Sequence, residues 1–91
     1  MERGEISVHE VRLFLVLQKA DSWMTSKQVA KDAEIAPRTA RALLLKLSRL
    51  NIIDVAESFP GHRYKLSKMA DKRNGAYLRR LQNMVEVFGL K

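Results

Sequence analysis

The stretch 32-DAEIAPRTARALLLKL-47 combines a proline with a run of apolar residues at helical spacing. Proline is well tolerated in the first turn of a helix, because the N–H that it lacks would have no intrahelical partner there. A helix is therefore predicted to begin near Pro37. It is predicted to end around Leu50 and Asn51, because asparagine readily adopts the left-handed conformation that closes a helix.

The predicted helix has two faces of different chemistry. On a helical wheel, one face collects the apolar residues Ala40, Leu43, Leu44, Leu47 and Leu50. The other face collects Arg38, Arg41, Ala42, Leu45 and Arg49. The first face is predicted to pack in the core, and the second to point outward with a basic character. Leu45 on the outward face would then be covered by an apolar group of a binding partner or by a neighbouring hairpin.

The length and composition of the chain limit the classes of protein that it fits. With 91 residues, of which 46% are hydrophobic, it is expected to form one domain over residues 1–91. Cysteine is absent, and His9 and His62 are far apart in sequence, so no disulfide, metal site or other cofactor is expected. The chain also has no glycine-rich phosphate loop and no Ser/His/Asp set, so no enzymatic activity is expected.

The charge balance favours a polyanionic partner. The chain has 17 Lys and Arg against 10 Asp and Glu, a net charge of +7, and the cations concentrate in residues 38–49 and 62–80. Duplex DNA is favoured over single strands, which call for exposed aromatic residues, although a solvated face is the alternative interpretation of each basic run. The longest apolar run, residues 13–17, is too short to span a membrane, so we expect a cytoplasmic, nucleoid-associated protein.

The N-terminal third of the chain contains two helix-start patterns. Ser7 and Glu10 fit a capping box at the start of a helix predicted over residues 8–20, whose apolar residues surround most of its circumference. Trp23, in the loop that follows, is expected to be buried in the core. Residues 25–28 repeat the box pattern and open a short helix to about Ala33, so that a helix-turn-helix is predicted with the Pro37 helix.

The spacing of the apolar residues changes from helical to strand-like after the third helix. The stretch 52-IIDVAESFPGHRYKLS-67 has β-branched residues, then the turn pattern Phe59-Pro60-Gly61, then alternation over residues 63–66, which predicts a hairpin with a basic second strand. A last helix is predicted from about Ala76 to Phe88, with an irregular start after Ser67 because Asn74-Gly75 weakens the helical pattern.

The last helix has an apolar stripe that needs a partner. The stripe consists of Tyr77, Leu78, Leu81, Met84, Val85 and Phe88. It is expected to form a homodimer interface, and the alternative is a monomer in which this helix closes the chain's own core.

The order helix, helix, turn, helix, hairpin, helix, with 24-MTSKQVAKDAEIAPRTARALLLKLSRLNIID-54 and 60-PGHRYKLS-67, resembles a known family. From Val11 to Ser67 the chain is similar to the winged helix-turn-helix core of bacterial regulators of the multiple-antibiotic-resistance-regulator and arsenical-repressor type. The resemblance implies a mainly α fold with a small β-hairpin: a three-helix core over about 8–67, a two-stranded wing and a C-terminal dimerisation helix over about 70–89. Where the family often has a turn glycine this chain has Glu34, so a longer or differently bent turn is expected.

The resemblance also implies where DNA would bind. The recognition helix, about 37–50, would enter the major groove with Arg38 and Arg41 as base readers. Phosphate contacts would come from the helix starts, from neighbouring cations and from the wing, about 52–66. These residues are Ser26, Lys27, Lys31, Thr39, Lys46, Arg49, His62, Arg63 and Lys65. The alternative for Lys46 and Arg49 is a solvated helix-end charge.

The resulting functional hypothesis is a homodimeric, sequence-specific double-stranded DNA-binding protein that regulates transcription in bacteria. Two alternatives remain open from the sequence. One is an accessory DNA-binding protein of a plasmid or phage, with a role in replication, partition or recombination. The other is a winged-helix module that binds acidic protein surfaces rather than DNA.

Overall fold

The computed structural model describes residues 6–57 and 61–90, which form four helices and a two-stranded sheet. The elements are α1 (Val8–Ala20), α2 (Ser26–Ala33), α3 (Pro37–Arg49), β1 (Ile53–Ala56), β2 (Arg63–Leu66) and α4 (Ala70–Val87). The order of elements and the mainly helical fold class predicted from the sequence are confirmed. Within the described ranges, no helix has both the length and the apolar character needed to cross a bilayer.

The helix starts at Ser7 and Thr25 differ from each other. Thr25 and Gln28 form the complete capping box, with their two backbone-to-side-chain bonds at 3.0 and 3.2 Å. Ser7 accepts a hydrogen bond from the backbone N–H of Glu10 at 3.3 Å, but the Glu10 carboxylate does not return to the cap. The second half of the box predicted at Ser7 is therefore wrong, because the Glu10 side chain is buried and bonds to other helices.

The turn between α2 and α3 is closed by Glu34. Its backbone is left-handed, with φ 59° and ψ 46°, and the N–H of Ile35 donates to the carbonyl of Ala30 at 3.0 Å. These are the features of a helix end that usually has glycine at this position. The expectation of a longer or differently bent turn is therefore wrong, because Glu34 itself adopts the left-handed conformation at a cost of about 1 kcal/mol.

The core is built around the inner face of α3. Ala40, Leu44 and Leu47 have no measurable exposure, and they pack with apolar residues of α1 that include Phe14 and Leu17. On the opposite face of α3, the residues predicted to point outward are exposed: Arg38, Arg41, Ala42, Leu45 and Arg49. The two-faced character predicted for this helix is confirmed.

The hairpin pairs β1 with β2 in antiparallel register, from Ile53 opposite Leu66 to Ala56 opposite Arg63. The predicted turn at Phe59-Pro60-Gly61 falls partly on residues 58–60, which lie outside the described residues. A short third segment joins this sheet, because Met24 and Tyr64 form an isolated antiparallel bridge.

Trp23 was expected in the core, but 44% of it is exposed, whereas Met24 is buried. The expectation is therefore wrong. Successive residues of an extended segment point to opposite sides, and the bridge to β2 turns Met24 toward the core.

The last helix begins at Ala70, in agreement with the bounds of about 70–89 implied by the resemblance, and it contains the predicted irregularity before Ala76. Asn74 has non-helical dihedral angles, φ −158° and ψ 65°, and its side-chain amide donates to the carbonyl of Leu50 at 2.9 Å. Three residues of the apolar stripe, Tyr77, Leu81 and Val85, are buried in the core of the chain itself. This part of the stripe matches the alternative in which α4 closes its own core.

Candidate nucleic-acid interface

A concavity of about 520 Å³ lies between the start of α2, the outer face of α3 and the start of β2. Its walls include residues from all three elements: Thr25, Ser26, Lys27, Arg41, Gly61, His62, Arg63 and Tyr64. Five of the residues named from the sequence as DNA contacts therefore lie around one depression, although they come from separate parts of the chain. Three of the five, Lys27, Arg41 and Arg63, have basic side chains.

The bridge between Met24 and Tyr64 explains how these parts meet. The N–H of Met24 donates to the Tyr64 carbonyl at 2.8 Å, and the N–H of Tyr64 donates back at 2.7 Å. Because Thr25 caps α2 directly after Met24, the first turn of α2 is held against β2. The N–H groups of a first helical turn and the positive end of the helix dipole favour an anion at such a place.

The outer face of α3 extends the basic surface away from the concavity. Arg38 and Arg41 are both exposed, and their spacing of three residues places them one turn apart on the same face. Ala42 and Leu45, which follow Arg41 along the helix, are also exposed, and 52% of Leu45 is accessible. Thr39, in the first turn of α3, is half-buried. The exposed surface of α3 thus combines two guanidinium groups with two apolar side chains.

The remaining predicted cations lie outside the concavity. Lys31 is exposed on α2, and Arg49 is exposed at the end of α3. Lys65 is half-buried and stands opposite Asp54 in the sheet register. The structure does not bring these three together with the five that line the depression.

Solved structures of other proteins share this arrangement of elements. A protein of the thermoacidophilic archaeon Sulfolobus tokodaii superimposes with a TM-score of 0.69 at 19% identity, over 94% of this chain and 86% of the other. The antimony-specific transcriptional repressor AntR superimposes with a TM-score of 0.63 at 16% identity, over 87% of this chain and 65% of the repressor. MepR, a transcription regulator of a Staphylococcus aureus multidrug efflux pump, superimposes with a TM-score of 0.59 at 17% identity, over 92% of this chain and 64% of MepR. The chain has the winged helix-turn-helix fold.

At these identities the similarity extends to the fold alone. The chain spans just under two-thirds of the length of the AntR and MepR chains. No protein-family model matches the sequence, and no curated protein matches it either. The names that the winged-helix fold gives to the elements at the positions of α3 and the β1–β2 hairpin are the recognition helix and the wing. The concavity lies between these two elements and the start of α2.

Lys46 lies on the recognition helix but is directed into the protein. Its Nζ is 2.8 Å from Oε1 of Glu10, and 33% of its side chain is exposed. The same Nζ lies 5.8 Å from the centre of the Tyr77 ring. Its ammonium group is therefore bound within the chain, whereas the sequence pattern named it as a phosphate contact.

Glu10 was not named as a site residue from the sequence. It is 1% exposed, it pairs with Lys46, and its second carboxylate oxygen accepts a hydrogen bond from the hydroxyl of Tyr77. Its position three or four residues before Leu13 and Phe14 places it on the apolar stripe of α1. A glutamate that shares the apolar face of a helix is the sequence signal that would have predicted a buried carboxylate with a bonding partner.

Tyr77 is the member of this group with a shifted pKa. Burial raises the pKa of the Tyr77 hydroxyl well above its usual range, and the hydrogen bond to Glu10 and its negative charge raise it further. Arg80, whose Cζ lies 5.5 Å from the ring centre, acts in the opposite direction. The hydroxyl therefore remains a proton donor to Glu10 at neutral pH.

The C-terminal half of α4 presents a separate apolar surface, here called the α4 outer face and defined by Met84, Val87 and Phe88. Val87 is 69% exposed, Phe88 is 36% exposed and Met84 is half-buried. The spacing of these residues places them on one side of the helix. Two residues that the sequence named for dimerisation, Met84 and Phe88, are on this face.

Proposed function

We propose that this protein binds double-stranded DNA in a sequence-dependent manner as a homodimer and regulates transcription. The observation that carries the proposal is the concavity between the recognition helix and the wing, where cations of three elements surround the start of α2. Two of the proteins with similar folds, AntR and MepR, are described as transcriptional regulators, which supports the same role for this chain. A net charge of +7 is in agreement with a polyanionic partner.

The recognition helix would supply sequence preference. A helix with its side chains is about 10–12 Å across and fits the major groove, which is about 12 Å wide. Arg38 and Arg41 would donate to guanine O6 and N7, the commonest specific contact. Ala42 and Leu45 on the same face would contact thymine methyl groups, because those groups are the apolar feature of the major groove.

The surrounding residues would fix the protein on the DNA backbone. Ser26 and Lys27 would hold one phosphate at the start of α2, while His62 and Arg63 would hold the backbone on the other side of the concavity. Thr39, Lys31, Arg49 and Lys65 would add contacts beyond it. Such contacts set the register of the protein and do not depend on base sequence.

The α4 outer face would form the dimer. Met84, Val87 and Phe88 expose apolar surface on one side of a helix, and the same surface on a second copy would cover it through a two-fold axis. Two recognition helices in such a dimer would meet DNA about one helical turn, roughly 34–36 Å, apart. The preferred site would then be palindromic.

A selection of bound duplexes from a random pool tests the proposal directly. We expect an enriched sequence with two inverted half-sites, bound with an affinity that falls steeply as salt concentration rises. Enrichment of a single half-site would contradict the dimer while leaving DNA binding intact. The absence of binding to any duplex at low salt would contradict DNA binding and would favour a module that binds acidic proteins.

A further inference from the structure

We infer that Glu10 is a positioning residue for DNA recognition: its buried carboxylate fixes the orientation of the recognition helix relative to α1 and α4. The inference rests on the proposed function, because it concerns how that helix is presented to DNA. Glu10 touches no DNA itself. It would act through Lys46 and Tyr77, which reach it from the other two helices.

The contacts join three helices at one point. Glu10 belongs to α1, Lys46 lies 36 residues further on in α3, and Tyr77 lies 67 residues further on in α4. The two carboxylate oxygens are used separately, Oε1 by Lys46 and Oε2 by Tyr77. The Lys46 ammonium also lies over the Tyr77 ring. Each member of this group, called here the Glu10 network, therefore contacts the other two.

Stability alone does not account for such a network. Replacement of a buried ion pair by apolar residues of similar volume is often neutral or stabilising, because the desolvation of the charges offsets their attraction. Apolar contacts have no preferred direction, whereas a hydrogen bond weakens steeply when its angle changes. Leu44 and Leu47 therefore attach α3 to the core, and the bond from Lys46 to Glu10 restricts its rotation and tilt.

The position of Lys46 makes this restriction relevant to base contacts. Lys46 lies near the end of α3, and Arg38 is eight residues before it, which corresponds to about 12 Å along the helix axis. A tilt of about 10° at Lys46 would move the backbone at Arg38 by about 2 Å. Functional groups need to be held within about 0.5 Å of their working geometry, so such a tilt would remove a two-point contact to guanine.

The decisive variant removes the network without changing the net charge. Glu10→Met, Lys46→Met and Tyr77→Phe are combined in one protein, which loses one positive and one negative charge and keeps comparable side-chain volume. The matched control is Lys19→Met with Glu86→Met, which also removes one charge of each sign, from α1 and α4, on a side of the protein lined by Phe14 and Val85.

The measurements are thermal unfolding and binding to two duplexes, the selected sequence and a scrambled version. We expect the network variant to melt within a few degrees of the wild type, to bind the selected duplex at least tenfold more weakly, and to bind the scrambled duplex within twofold of the wild type. The control is expected to match the wild type on both duplexes. Binding of the selected duplex within twofold of the wild type would overturn the inference.

Lys46→Met alone separates positioning from phosphate contact. A lysine that neutralises one phosphate contributes about 0.9 to the slope of log affinity against log salt. We expect an unchanged slope and a loss confined to the selected duplex. A slope reduced by about one unit, with equal loss on both duplexes, would assign Lys46 to the DNA backbone and overturn the inference.

A measurement without DNA keeps the inference testable if the combined variant does not fold or if the wild type binds no duplex. Tyr77→Phe removes a hydroxyl and keeps the ring, so this variant is expected to fold. Residual dipolar couplings of the α3 and α1 amides report the angle between the two helices. We expect the Tyr77→Phe and Lys46→Met variants to change or average these couplings, whereas unchanged couplings in both would overturn the positioning role. Absence of duplex binding by the wild type would contradict the proposed function alone.

Discussion

Met24 and Tyr64 exchange two backbone hydrogen bonds, of 2.8 and 2.7 Å, and thereby hold the start of α2 against the wing. Thr25 follows immediately as the cap of α2, and Arg63 precedes Tyr64 in β2. The same bridge therefore sets the distance between the start of α2 and the wing on the two sides of the concavity. Because of this contact, residues that are far apart in sequence, such as Lys27 and Arg63, lie on the same basic surface.

Arg41→Ala should relax base preference. If Arg41 contacts a guanine edge, its loss is expected to cost about 1–3 kcal/mol on the selected duplex and to reduce discrimination at one base pair. Lys27→Ala, by contrast, should weaken all duplexes alike and reduce the salt slope by about one unit. Lys19→Ala is the charge-matched control and should change neither quantity. Equal losses for Arg41→Ala and Lys27→Ala on every sequence would contradict base readout by Arg41.

Leu44→Ala and Leu45→Ala should differ in stability although the residues are adjacent. Leu44 is fully buried, so its truncation is expected to cost about 2–5 kcal/mol in the free energy of unfolding. Leu45 is 52% exposed, so its truncation should change that free energy by less than about 0.5 kcal/mol. Urea unfolding measures both. Similar losses would place Leu45 in a buried interface of the protein under the conditions used.

Glu34→Gly should stabilise the protein. Glu34 has φ 59°, and glycine adopts this conformation without the cost of a Cβ, so a gain of about 1 kcal/mol is expected. For a domain of this size the gain corresponds to a rise of about 4–8 °C in melting temperature. Lys31→Gly, within the exposed part of α2, is the control and should lower stability by a similar amount. A lower melting temperature for Glu34→Gly would show that the Glu34 side chain makes a compensating contribution.

Tyr77 should make stability depend on alkaline pH. In the unfolded chain its hydroxyl loses a proton near pH 10, whereas burial raises its pKa in the folded protein. Above pH 10 the folded state therefore holds one more proton than the unfolded state, and stability falls by about 1.4 kcal/mol per pH unit. Denaturant unfolding from pH 9 to 11.5 should show this additional loss in the wild type and not in Tyr77→Phe. Parallel curves for the two proteins would contradict the buried hydroxyl.

Val87→Glu should separate the proposed dimer. Val87 is 69% exposed, so the substitution is expected to leave the fold intact while placing like charges on both sides of the two-fold contact. Sedimentation velocity should show a monomer, and affinity for a palindromic duplex should fall at least tenfold. Gln82→Glu, an exposed change on a different side of α4, is the control. A dimer that persists in Val87→Glu would locate the interface elsewhere.

Much of the fold could be predicted from local patterns. Thr25 and Gln28 indicate a helix start, because the side chain of each residue accepts a hydrogen bond from the backbone N–H of the other, three residues away. The two faces of α3 follow from helical period, and the kink at Asn74 follows from a residue pair that fits a helix poorly. Each of these signals depends on neighbours in sequence. The sequence is therefore sufficient for the elements and their order.

Two of the incorrect predictions, at Ser7 and at Trp23, concern side chains whose placement depends on distant parts of the chain. Glu10 could return to the Ser7 cap or be buried, and Trp23 or Met24 could enter the core. A cap bond offers a carboxylate one local donor, whereas the folded chain offers it Lys46 and Tyr77 in a medium where these bonds are stronger. The apolar stripe of α4 had the same ambiguity, because a helix face does not specify whether its own chain or a second copy covers it.

The sequence by itself determined the helices, the hairpin and the two faces of α3, because helical period, capping and turn chemistry act over a few residues. The tertiary structure decided which cations surround one concavity and which, like Lys46, are bound inside the protein. It also decided that Tyr77, Leu81 and Val85 close the core of their own chain. The physical reason is that burial and hydrogen-bond partners across the fold depend on how helices pack, and the spacing of residues along the chain does not fix that packing.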